Sequence, residues 1–188
     1  MILAYLGKNV KEYRENFLRY LNCMRIRCPD CGGSTSNHDS YERHVHIGKI
    51  IEWLVFYRVK CNRCGRTHAI IPDFVKPKKH YSACDIELAL NEMEEEIPVE
   101  QVETEASIST LRRWQNEFID RSGQAIGALR GILYQLYEKT IGELELSGLK
   151  RFAKLEKILE RFPRIQSSNL VIGETNIWLT NYLAGEFL

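Results

Sequence analysis

The pattern of hydrophobic and polar positions divides the chain into a strand-forming part and a helix-forming part. Residues 41–47 and 50–60 are typical of two strands, and Gly48-Lys49 between them is typical of a hairpin turn. In the second strand every other side chain is apolar, which predicts one buried face; these residues are Ile51, Trp53, Val55, Tyr57 and Val59. From Ser82 onward the apolar positions recur with helical spacing.

Shorter elements are predicted before and after the hairpin. Residues 2–6 favour a short strand, and Asn9 can cap a helix that runs to about Asn22. Residues 72–81 contain two prolines and a basic cluster, so they are predicted to form an extended linker.

The helix-forming part contains several predicted helices. The spacing predicts helices over 82–95, 98–105 and 109–121, with a weaker helical signal over 124–146. A further apolar stripe before Pro163 predicts one more helix; its residues are Leu149, Phe152, Leu155, Leu159 and Phe162. The apolar end of the chain contains turn residues, and its pattern predicts no particular element. The expected fold class is α+β.

Charge is unevenly distributed along the chain. The net charge over all 188 residues is only +1. Residues 1–84 hold 15 Lys and Arg against 7 Asp and Glu, whereas residues 85–120 hold 2 against 11. This asymmetry predicts a basic module with an anionic partner, followed by an acidic segment that is solvated or paired with the first module.

The six cysteines are predicted to be reduced. The first residues mix charges with apolar side chains, unlike a secretory signal, and no run of about 18 apolar residues predicts a membrane span. A cytoplasmic location is therefore expected. Because thiols stay reduced there, the cysteines are interpreted as metal ligands rather than as disulfides.

Two Cys-x-x-Cys pairs carry the strongest chemical signal. Cys28 and Cys31 form the first pair and Cys61 and Cys64 form the second, with the predicted hairpin between them. Each such turn places two sulfurs on one side of a tetrahedral site, and zinc binds thiolate sulfur at about 2.3 Å. A glycine after each pair lets the chain turn back toward the sulfurs. The spacing predicts one structural zinc ion in a zinc ribbon, made of a β-hairpin and a short third strand.

Other interpretations of these residue types stay open. A Cys-x-x-Cys pair can act in thiol redox chemistry, although one pair would suffice for that. His68 or Cys23 can replace one of the four ligands. His44 and His46 share one face of a predicted strand, where they are either exposed side chains or part of a second metal site. Four thiolates would leave no coordination position for a catalytic water.

The acidic segment resembles a helix-turn-helix. Pro98 would begin its second helix, Ser107-Ile108 would form the turn, and Ser109 would cap the third helix. That third helix would present polar side chains to DNA bases and phosphates; these are Ser109, Arg112, Arg113, Gln115 and Asn116. A helical bundle without any DNA-binding role shows the same spacing, and the acidic surroundings favour that alternative.

Three lysines in the predicted linker, together with His80 and Tyr81, form a second candidate contact with DNA. Lys76, Lys78 and Lys79 lie in an extended segment, where they can follow a phosphate backbone. A solvated linker without a partner is the alternative.

Three segments of the chain resemble the zinc-ribbon domain of transposase-like proteins of bacterial mobile elements; they are CPDCGG, HDSYERHV and RVKCNRCGRTHAIIPDFVKPKKHYS. The resemblance covers about residues 26–120 and is most specific in the stretch CGRTHAIIPDF. It implies a four-cysteine ribbon followed by a helix-turn-helix, which together bind the ends of the element.

The chain departs from these transposases after the helix-turn-helix. Their catalytic domain carries three carboxylates on an RNase H-like core and holds two magnesium ions. The 67 residues after Arg121 are too few for such a core, so their glutamates are interpreted as surface charge. The resemblance thus implies DNA binding without catalysis.

The predicted organisation has five parts. They are an N-terminal strand and helix (1–25), a zinc ribbon (26–76), a basic linker (77–84), a helix-turn-helix (85–121) and a helical C-terminal region (122–188). The predicted function is that of a zinc-dependent accessory or regulatory factor that binds double-stranded DNA. No Gly-rich phosphate loop, nucleophile elbow or open metal site predicts an enzyme.

A protein-interaction adaptor is the alternative function. It would dock on a partner, or on a second copy of the chain, through its C-terminal helices and apolar tail. The apolar residues of this tail are Ile177, Trp178, Leu179, Tyr182, Leu183, Phe187 and Leu188. Burial in the core of the chain itself would also account for them.

Overall fold

Four strands and six helices form the described part of the chain. The computed structural model describes residues 1–23, 25–165 and 167–181. The strands are β1 (Ile2–Ala4), β2 (Thr35–Ile47), β3 (Ile50–Cys61) and β4 (Thr67–Pro72). The helices are α1 (Val10–Cys23), α2 (Ala83–Glu94), α3 (Ile108–Tyr137), α4 (Glu143–Leu146), α5 (Arg151–Leu159) and α6 (Val171–Asn181). The predicted mixture of strands and helices is confirmed.

The described residues form two compact units. The first unit contains residues 1–83 together with the described residues from Ile165 onward, and the second contains residues 84–164. All four strands, α1 and α6 lie in the first unit, whereas α3, α4, α5 and almost all of α2 lie in the second. None of the described helices has the length and apolar character needed to cross a membrane.

The four strands form one sheet in the order β1-β4-β3-β2. β2 and β3 form the predicted hairpin, with Ile47 paired to Ile50 across the turn. β4 pairs with β3 only from Arg58 to Lys60, and β1 runs parallel to β4. The half of the hairpin nearer its turn therefore extends past β4.

The buried face of the hairpin differs from the predicted one. Leu54 and Phe56 are fully buried, whereas Trp53 and Ile51 are 61% and 58% exposed. Of the predicted face, Val59 alone is fully in the core, near the cysteine end of β3. Leu54 and Phe56 belong to the core of the first unit together with residues of α1 and of the segment after β4. That tertiary packing, which the alternation by itself does not specify, selects the face.

Helix α1 covers the edge of β3 that β4 does not reach. The hydroxyl of Tyr13 donates a hydrogen bond to the carbonyl of Val55 at 2.6 Å. Arg14 donates to the carbonyl of Trp53 at 2.9 Å and forms an ion pair with Glu52 at 2.9 Å. The carbonyls along this edge thus find donors in a helix instead of a neighbouring strand. The predicted cap of α1 is confirmed, since Asn9 accepts a hydrogen bond from the backbone of its first turn.

The segment after β4 is attached to the sheet rather than free. The amide of His46 donates to the carbonyl of His80 at 2.7 Å, and the amide of Ser82 donates to the carbonyl of His46 at 2.8 Å. The amide of Ala83 donates to the carbonyl of Phe74 at 2.8 Å, and Phe74 lies in the core. Residues 80–82 therefore run along β2, an edge strand of the sheet.

The segment that leads into helix α6 is hydrogen-bonded to Asp73, which directly follows β4. The carboxylate of Asp73, which is 1% exposed, accepts a hydrogen bond from the amide of Ser168 at 2.6 Å. Burial raises the pKa of this carboxyl group. Trp178 of α6 is 1% exposed, and α6 packs against β1. The end of the chain, for which the sequence pattern predicts no element, is thus helical as far as Asn181, while Tyr182, Leu183, Phe187 and Leu188 lie outside the described residues.

We expect Gly173→Ala to destabilise the first unit by about 1–3 kcal/mol. A Cβ atom at Gly173 would lie 2.9 Å from the backbone oxygen of Asp73, so the helix would have to move away from the sheet. Urea denaturation monitored by tryptophan fluorescence measures the change in the free energy of unfolding, because Trp178 lies on the same helix.

Gly127→Ala is the matched control for that substitution. Gly127 lies within α3 with nothing within 4 Å of an added Cβ atom, so alanine is expected to stabilise the protein by about 0.5–1 kcal/mol. Equal effects at the two glycines would contradict the packing described for α6.

The second unit is built from α2, α3 and α5. Phe118 of α3 stacks on Phe152 of α5 with ring centroids 4.5 Å apart. The carboxylate of Glu94, at the end of α2, accepts hydrogen bonds from the amides of Arg151 and Phe152 at 3.2 and 3.1 Å. It therefore caps the N-terminus of α5, where negative charge is favourable. The predicted apolar stripe of this helix is buried except at Leu149, which is 36% exposed.

Two of the predicted helical boundaries are wrong. The second helix predicted over 98–105 is a single 3-10 turn, Val99–Gln101, after which Val102 is extended with φ −67° and ψ 122°. The segment is short and three of its eight residues are β-branched, so propensity alone does not sustain a helix there. The third helix is much longer than predicted and runs from Ile108 to Tyr137. Its cap is Ser107, whose hydroxyl accepts a hydrogen bond from the helix backbone, and not Ser109.

Candidate metal centre and nucleic-acid interface

The two Cys-x-x-Cys segments form turns with the same backbone hydrogen bonds. The amide of Gly32 donates to the carbonyl of Cys28 at 2.8 Å, and the amide of Gly65 donates to the carbonyl of Cys61 at 3.0 Å. Both glycines have positive φ, 69° and 73°, a conformation that glycine adopts without strain. The glycine after each pair is thus explained by the turn that brings its two sulfurs together.

The hairpin brings the two turns together at its open end. Thr35, at the start of β2, pairs with Cys61 at the end of β3. The Sγ atoms of Cys28 and Cys64 are 3.7 Å apart, and those of Cys31 and Cys61 are 3.5 Å apart. All four sulfurs lie within 4.8 Å of one another. Metal–sulfur bonds of about 2.3 Å in a tetrahedron require sulfurs about 3.8 Å apart, so the four cysteines fit one metal ion.

Gly33 is a structural requirement of this cluster that the cysteine spacing does not reveal. A Cβ atom at this position would lie 2.7 Å from the Cβ of Arg63, 3.1 Å from the Sγ of Cys61 and 3.3 Å from the Sγ of Cys31. The first turn can therefore approach the second only because position 33 has no side chain. In the sequence, this requirement is indicated by the second glycine of the pair Gly32-Gly33. The turn by itself explains only Gly32.

The environment of the sulfurs favours a cation. Backbone amides of Cys64 and Arg63, at 3.4 and 3.3 Å, hold the pKa of the Cys61 thiol at about 6. The amide of Arg66 favours the thiolate of Cys64, but burial and the neighbouring sulfurs outweigh it and raise the pKa of Cys64 to about 12. The neighbouring sulfurs therefore oppose ionisation of Cys64, and a divalent cation would relieve that repulsion.

His68 and Asp30 adjoin the cluster. The Nε2 atom of His68 lies 3.2 Å from the Sγ of Cys28, and the side chain is buried. Burial lowers the pKa of this imidazole, whose neutral form can donate a hydrogen bond to a thiolate. Asp30 forms an ion pair with Arg66 at 2.8 Å and, with Cys28 and His68, makes up a second group of potential ligands. The side chain of Cys23, the other predicted alternative ligand, is not among the side chains that the structure describes.

Residues 28–114 match a domain family described as a domain of unknown function (DUF6431). The match begins at the first cysteine of the cluster, includes all four cysteines and ends at Trp114 of α3, so it covers a little under half of the chain. No curated protein and no solved structure matches the chain. The matched region therefore includes both the cysteine cluster and the first two turns of α3.

The first two turns of α3, at the end of the matched domain, present a polar exposed face. Four of the five residues predicted to contact DNA on this helix line one open surface; they are Ser109, Arg112, Arg113 and Asn116. The fifth, Gln115, lies instead with Phe118 and Leu90 on the side that faces α2 and α5. Helical periodicity explains the separation, because residue 115 lies on the same side as the buried Leu111.

The charges of this face are only partly neutralised. Arg112 forms an ion pair with Glu100 at 3.2 Å, and Arg121 pairs with Glu117 at 3.2 Å. Arg113 has no ion pair with another described residue. No acidic residue lies in the first turn of α3. Apart from Glu100, which pairs with Arg112, the carboxylates of this face are Glu117 and Asp120, which lie further along α3. The unpaired Arg113 thus makes the N-terminal end of the face basic.

The three linker lysines lie in the other unit. Lys76, Lys78 and Lys79 belong to a turn closed by a hydrogen bond from the amide of Lys79 to the carbonyl of Lys76. Lys78 is exposed and has a φ of 59°, and the other two lysines are half-buried.

In the tail, Ile177 and Trp178 are buried in the first unit and Leu179 is half-buried.

Proposed function

We propose that this protein binds one structural zinc ion through Cys28, Cys31, Cys61 and Cys64, and that the ion holds together a zinc ribbon. An all-thiolate shell of four sulfurs is the usual composition of a closed structural zinc site. The sulfur spacing, the two amides that donate to Cys61 and the absence of a side chain at position 33 support this assignment. A complete shell has no position for a substrate, so the metal would contribute to folding and not to catalysis.

We further propose that the zinc-loaded protein binds double-stranded DNA as an accessory or regulatory factor. The observation that supports this most is the exposed face of α3 that carries Ser109, Arg112, Arg113 and Asn116 at its N-terminal end. The first residues of a recognition helix are those that reach base edges in the major groove. Arginine can bind guanine bidentately, asparagine binds adenine, and a serine hydroxyl can donate to a phosphate.

Other features bear on this proposal in both directions. The excess of basic residues in the first 84 positions and the resemblance of residues 26–120 to transposase-like zinc-ribbon proteins support it. The acidic composition of residues 85–120 opposes it outside the start of α3. The missing second helix means that the α3 face would be presented by α2, a 3-10 turn and α3 instead of by three full helices.

Replacement of both arginines with alanine tests the proposed function. We expect Arg112→Ala with Arg113→Ala to weaken binding to a selected duplex by about 1–3 kcal/mol per base-contacting arginine, with a loss of sequence preference. If an arginine binds a phosphate and not a base, its removal should reduce the steepness of the plot of log affinity against log salt concentration by about one unit. Fluorescence anisotropy of labelled duplexes at several salt concentrations measures both quantities.

The matched control removes the same charge from another helix of the same unit. Lys154 and Lys157 lie on α5, so Lys154→Ala with Lys157→Ala should leave sequence preference unchanged. Equal losses for the two double variants would show that only net charge matters. Absence of duplex binding at low salt would refute the proposal.

A further inference from the structure

A group of five aromatic rings, two exposed and three half-buried, lies on one side of the hairpin. The group consists of His44, His46, Trp53, His80 and Tyr81, and is called the ring surface below. His44 stacks on His80 with centroids 4.2 Å apart, and His46 stacks on Tyr81 at 4.7 Å. Trp53 meets His44 edge to face at 5.6 Å. Five flat side chains thus adjoin one another on one side of the sheet.

The exposure of Trp53 is unusual for this chain. Its side chain is 61% exposed, whereas the other two tryptophans, Trp114 and Trp178, are 3% and 1% exposed. Ile50 and Ile51 beside it are 57% and 58% exposed. Large apolar surface that a folded protein leaves exposed commonly marks a binding site. Stability of the hairpin does not require Trp53, because Leu54 and Phe56 form the buried face.

Backbone hydrogen bonds fix the arrangement of the rings. The amide of His46 donates to the carbonyl of His80, and the amide of Ser82 donates to the carbonyl of His46, so the segment with His80 and Tyr81 is held against β2. The Nδ1 atom of His80 also lies 3.2 Å from the carbonyl of His44. The ring surface is therefore formed before any ligand arrives, which lowers the entropic cost of binding.

The charge next to the ring surface suits a polyanion. Lys49 lies exposed in the hairpin turn, and exposed Lys78 lies in the turn that precedes His80. Glu42, two residues before His44 on the same face of β2, is a carboxylate on that side of the strand. Partial burial, with the nearby His80, His46 and Arg43, lowers the pKa of His44, so its ring is uncharged at neutral pH. The surface thus combines aromatic rings with two exposed lysines and one carboxylate nearby in the chain.

A second metal ion at the three histidines fits the geometry less well. His44 and His80 are stacked with an angle of 24° between their planes, whereas two imidazoles that share an ion must direct their in-plane nitrogens at one point. Nδ1 of His80 is already within hydrogen-bonding distance of a backbone carbonyl. The stacking that disfavours a metal is the property that suits flat ligands.

We propose that the ring surface binds the unpaired bases of a single-stranded nucleic acid. One base would stack on the exposed face of Trp53, and phosphates would lie beside Lys49 and Lys78. Grooves that combine aromatic platforms with basic residues bind single strands in this manner, largely without sequence preference. The inference rests on the proposed function for its class of ligand, but it concerns a different surface and an unpaired strand instead of a duplex.

Tryptophan fluorescence of the zinc-loaded full chain tests the inference. Trp53 is the one exposed tryptophan of the three, so quenching on addition of an oligothymidylate of roughly 12 nucleotides would report contact at the ring surface. An abasic phosphodiester of the same length and charge is the control ligand, and it should leave the emission unchanged. The matching oligouridylate shows whether DNA or RNA is the better ligand.

Three substitutions separate base stacking from general apolar or charge effects. Trp53→Leu should weaken binding to oligothymidylate about tenfold or more, while Trp53→Phe should retain most of the affinity because a ring remains. Ile51→Ala, an exposed apolar neighbour without a ring, should bind like the unsubstituted protein. Affinities of all three come from anisotropy of a labelled oligonucleotide, and circular dichroism verifies that each variant is folded.

Several outcomes would overturn the inference. They are equal quenching by the abasic strand, equal affinity of the leucine and phenylalanine variants, or no binding of single strands by a protein that binds duplex DNA. Unchanged duplex binding by Trp53→Leu, together with weaker single-strand binding, is the expected pattern. Loss of duplex binding with the arginine variants reports on the proposed function separately, so the two can fail independently.

Discussion

Removal of the metal from the purified protein is expected to unfold the cysteine end of the hairpin and to abolish the cooperative thermal transition of the first unit. Structural zinc sites in small modules contribute on the order of 10–16 kcal/mol in apparent binding free energy near neutral pH. The total stability of a domain is usually only about 5–15 kcal/mol. A unit in which β2 begins and β3 ends at this cluster is therefore expected to depend on the proposed ion for most of its net stability.

Without a metal, only hydrogen bonds and one exposed ion pair are seen between the described residues of the two cysteine turns. The amide and the side chain of Asn62 donate to Ser34 at 2.9 and 3.2 Å, Arg63 donates to the carbonyl of Cys31 at 3.4 Å, and Arg66 pairs with Asp30 at 2.8 Å. Without a cation the thiol of Cys61 favours its ionised form, and the neighbouring sulfurs raise the pKa of Cys64. These hydrogen bonds are worth only about 1 kcal/mol each, which does not hold the turns together.

The measurement is thermal denaturation by circular dichroism before and after chelation, with metal content determined in parallel. One equivalent of zinc per chain should be lost on chelation, and adding zinc back should restore the transition. Cys61→Ser is expected to behave like the chelated protein. Cys84→Ser is the matched control, because Cys84 is exposed and lies on α2 outside the cluster. An unchanged melting temperature after complete removal of zinc would contradict the central role of the metal.

Features with short-range causes were predictable from the sequence. The four cysteines were identified because each pair acts through its own turn, and the hairpin was identified because Gly48 lies between two alternating segments. The cap at Asn9 follows the same logic, since its side chain bonds to an amide three residues away. In each case the residues that determine the structure are neighbours in the chain.

Features that depend on distant contacts were not predictable. Asp73 bonds to Ser168, 95 positions later, and nothing in either local pattern indicates that pairing. The segment 98–105 has the composition of a weak helix, and only its surroundings determine that it forms one turn. The chemistry of Gln115 groups it with the predicted DNA contacts, but packing with Phe118 places it on the other side of α3.

The face of β3 that enters the core is the clearest of these errors, and it leads to the second large expected effect. The uninterrupted series of apolar residues at odd positions predicts burial of Trp53, whereas the even series contains Glu52 and Arg58. The structure buries Leu54 and Phe56 from the even series. Glu52 and Arg58 stay near the surface through ion pairs with Arg14 and Asp39, so two charges on one face do not prevent its central residues from forming core.

Phe56→Ala is therefore expected to destabilise the protein by about 3–5 kcal/mol, the largest effect of any single apolar truncation on the hairpin. The ring of Phe56 is fully buried; it lies 5.5 Å from Tyr41 and 6.5 Å from Tyr13, and the guanidinium of Arg43 is 4.7 Å from its centroid. Truncation would leave a cavity between the sheet and α1 and would remove the aromatic partner of a half-buried arginine.

Trp53→Ala provides the matched comparison, since it removes a larger ring three positions earlier on the same strand. Because Trp53 is 61% exposed, its loss is expected to cost less than about 1 kcal/mol. Urea denaturation at a fixed, saturating zinc concentration measures both variants without confusing core packing with metal affinity. A greater loss for Trp53→Ala than for Phe56→Ala would mean that the odd series is the buried one. The ring surface would then be part of the core, and its proposed contact with unpaired bases would be excluded by the same measurement.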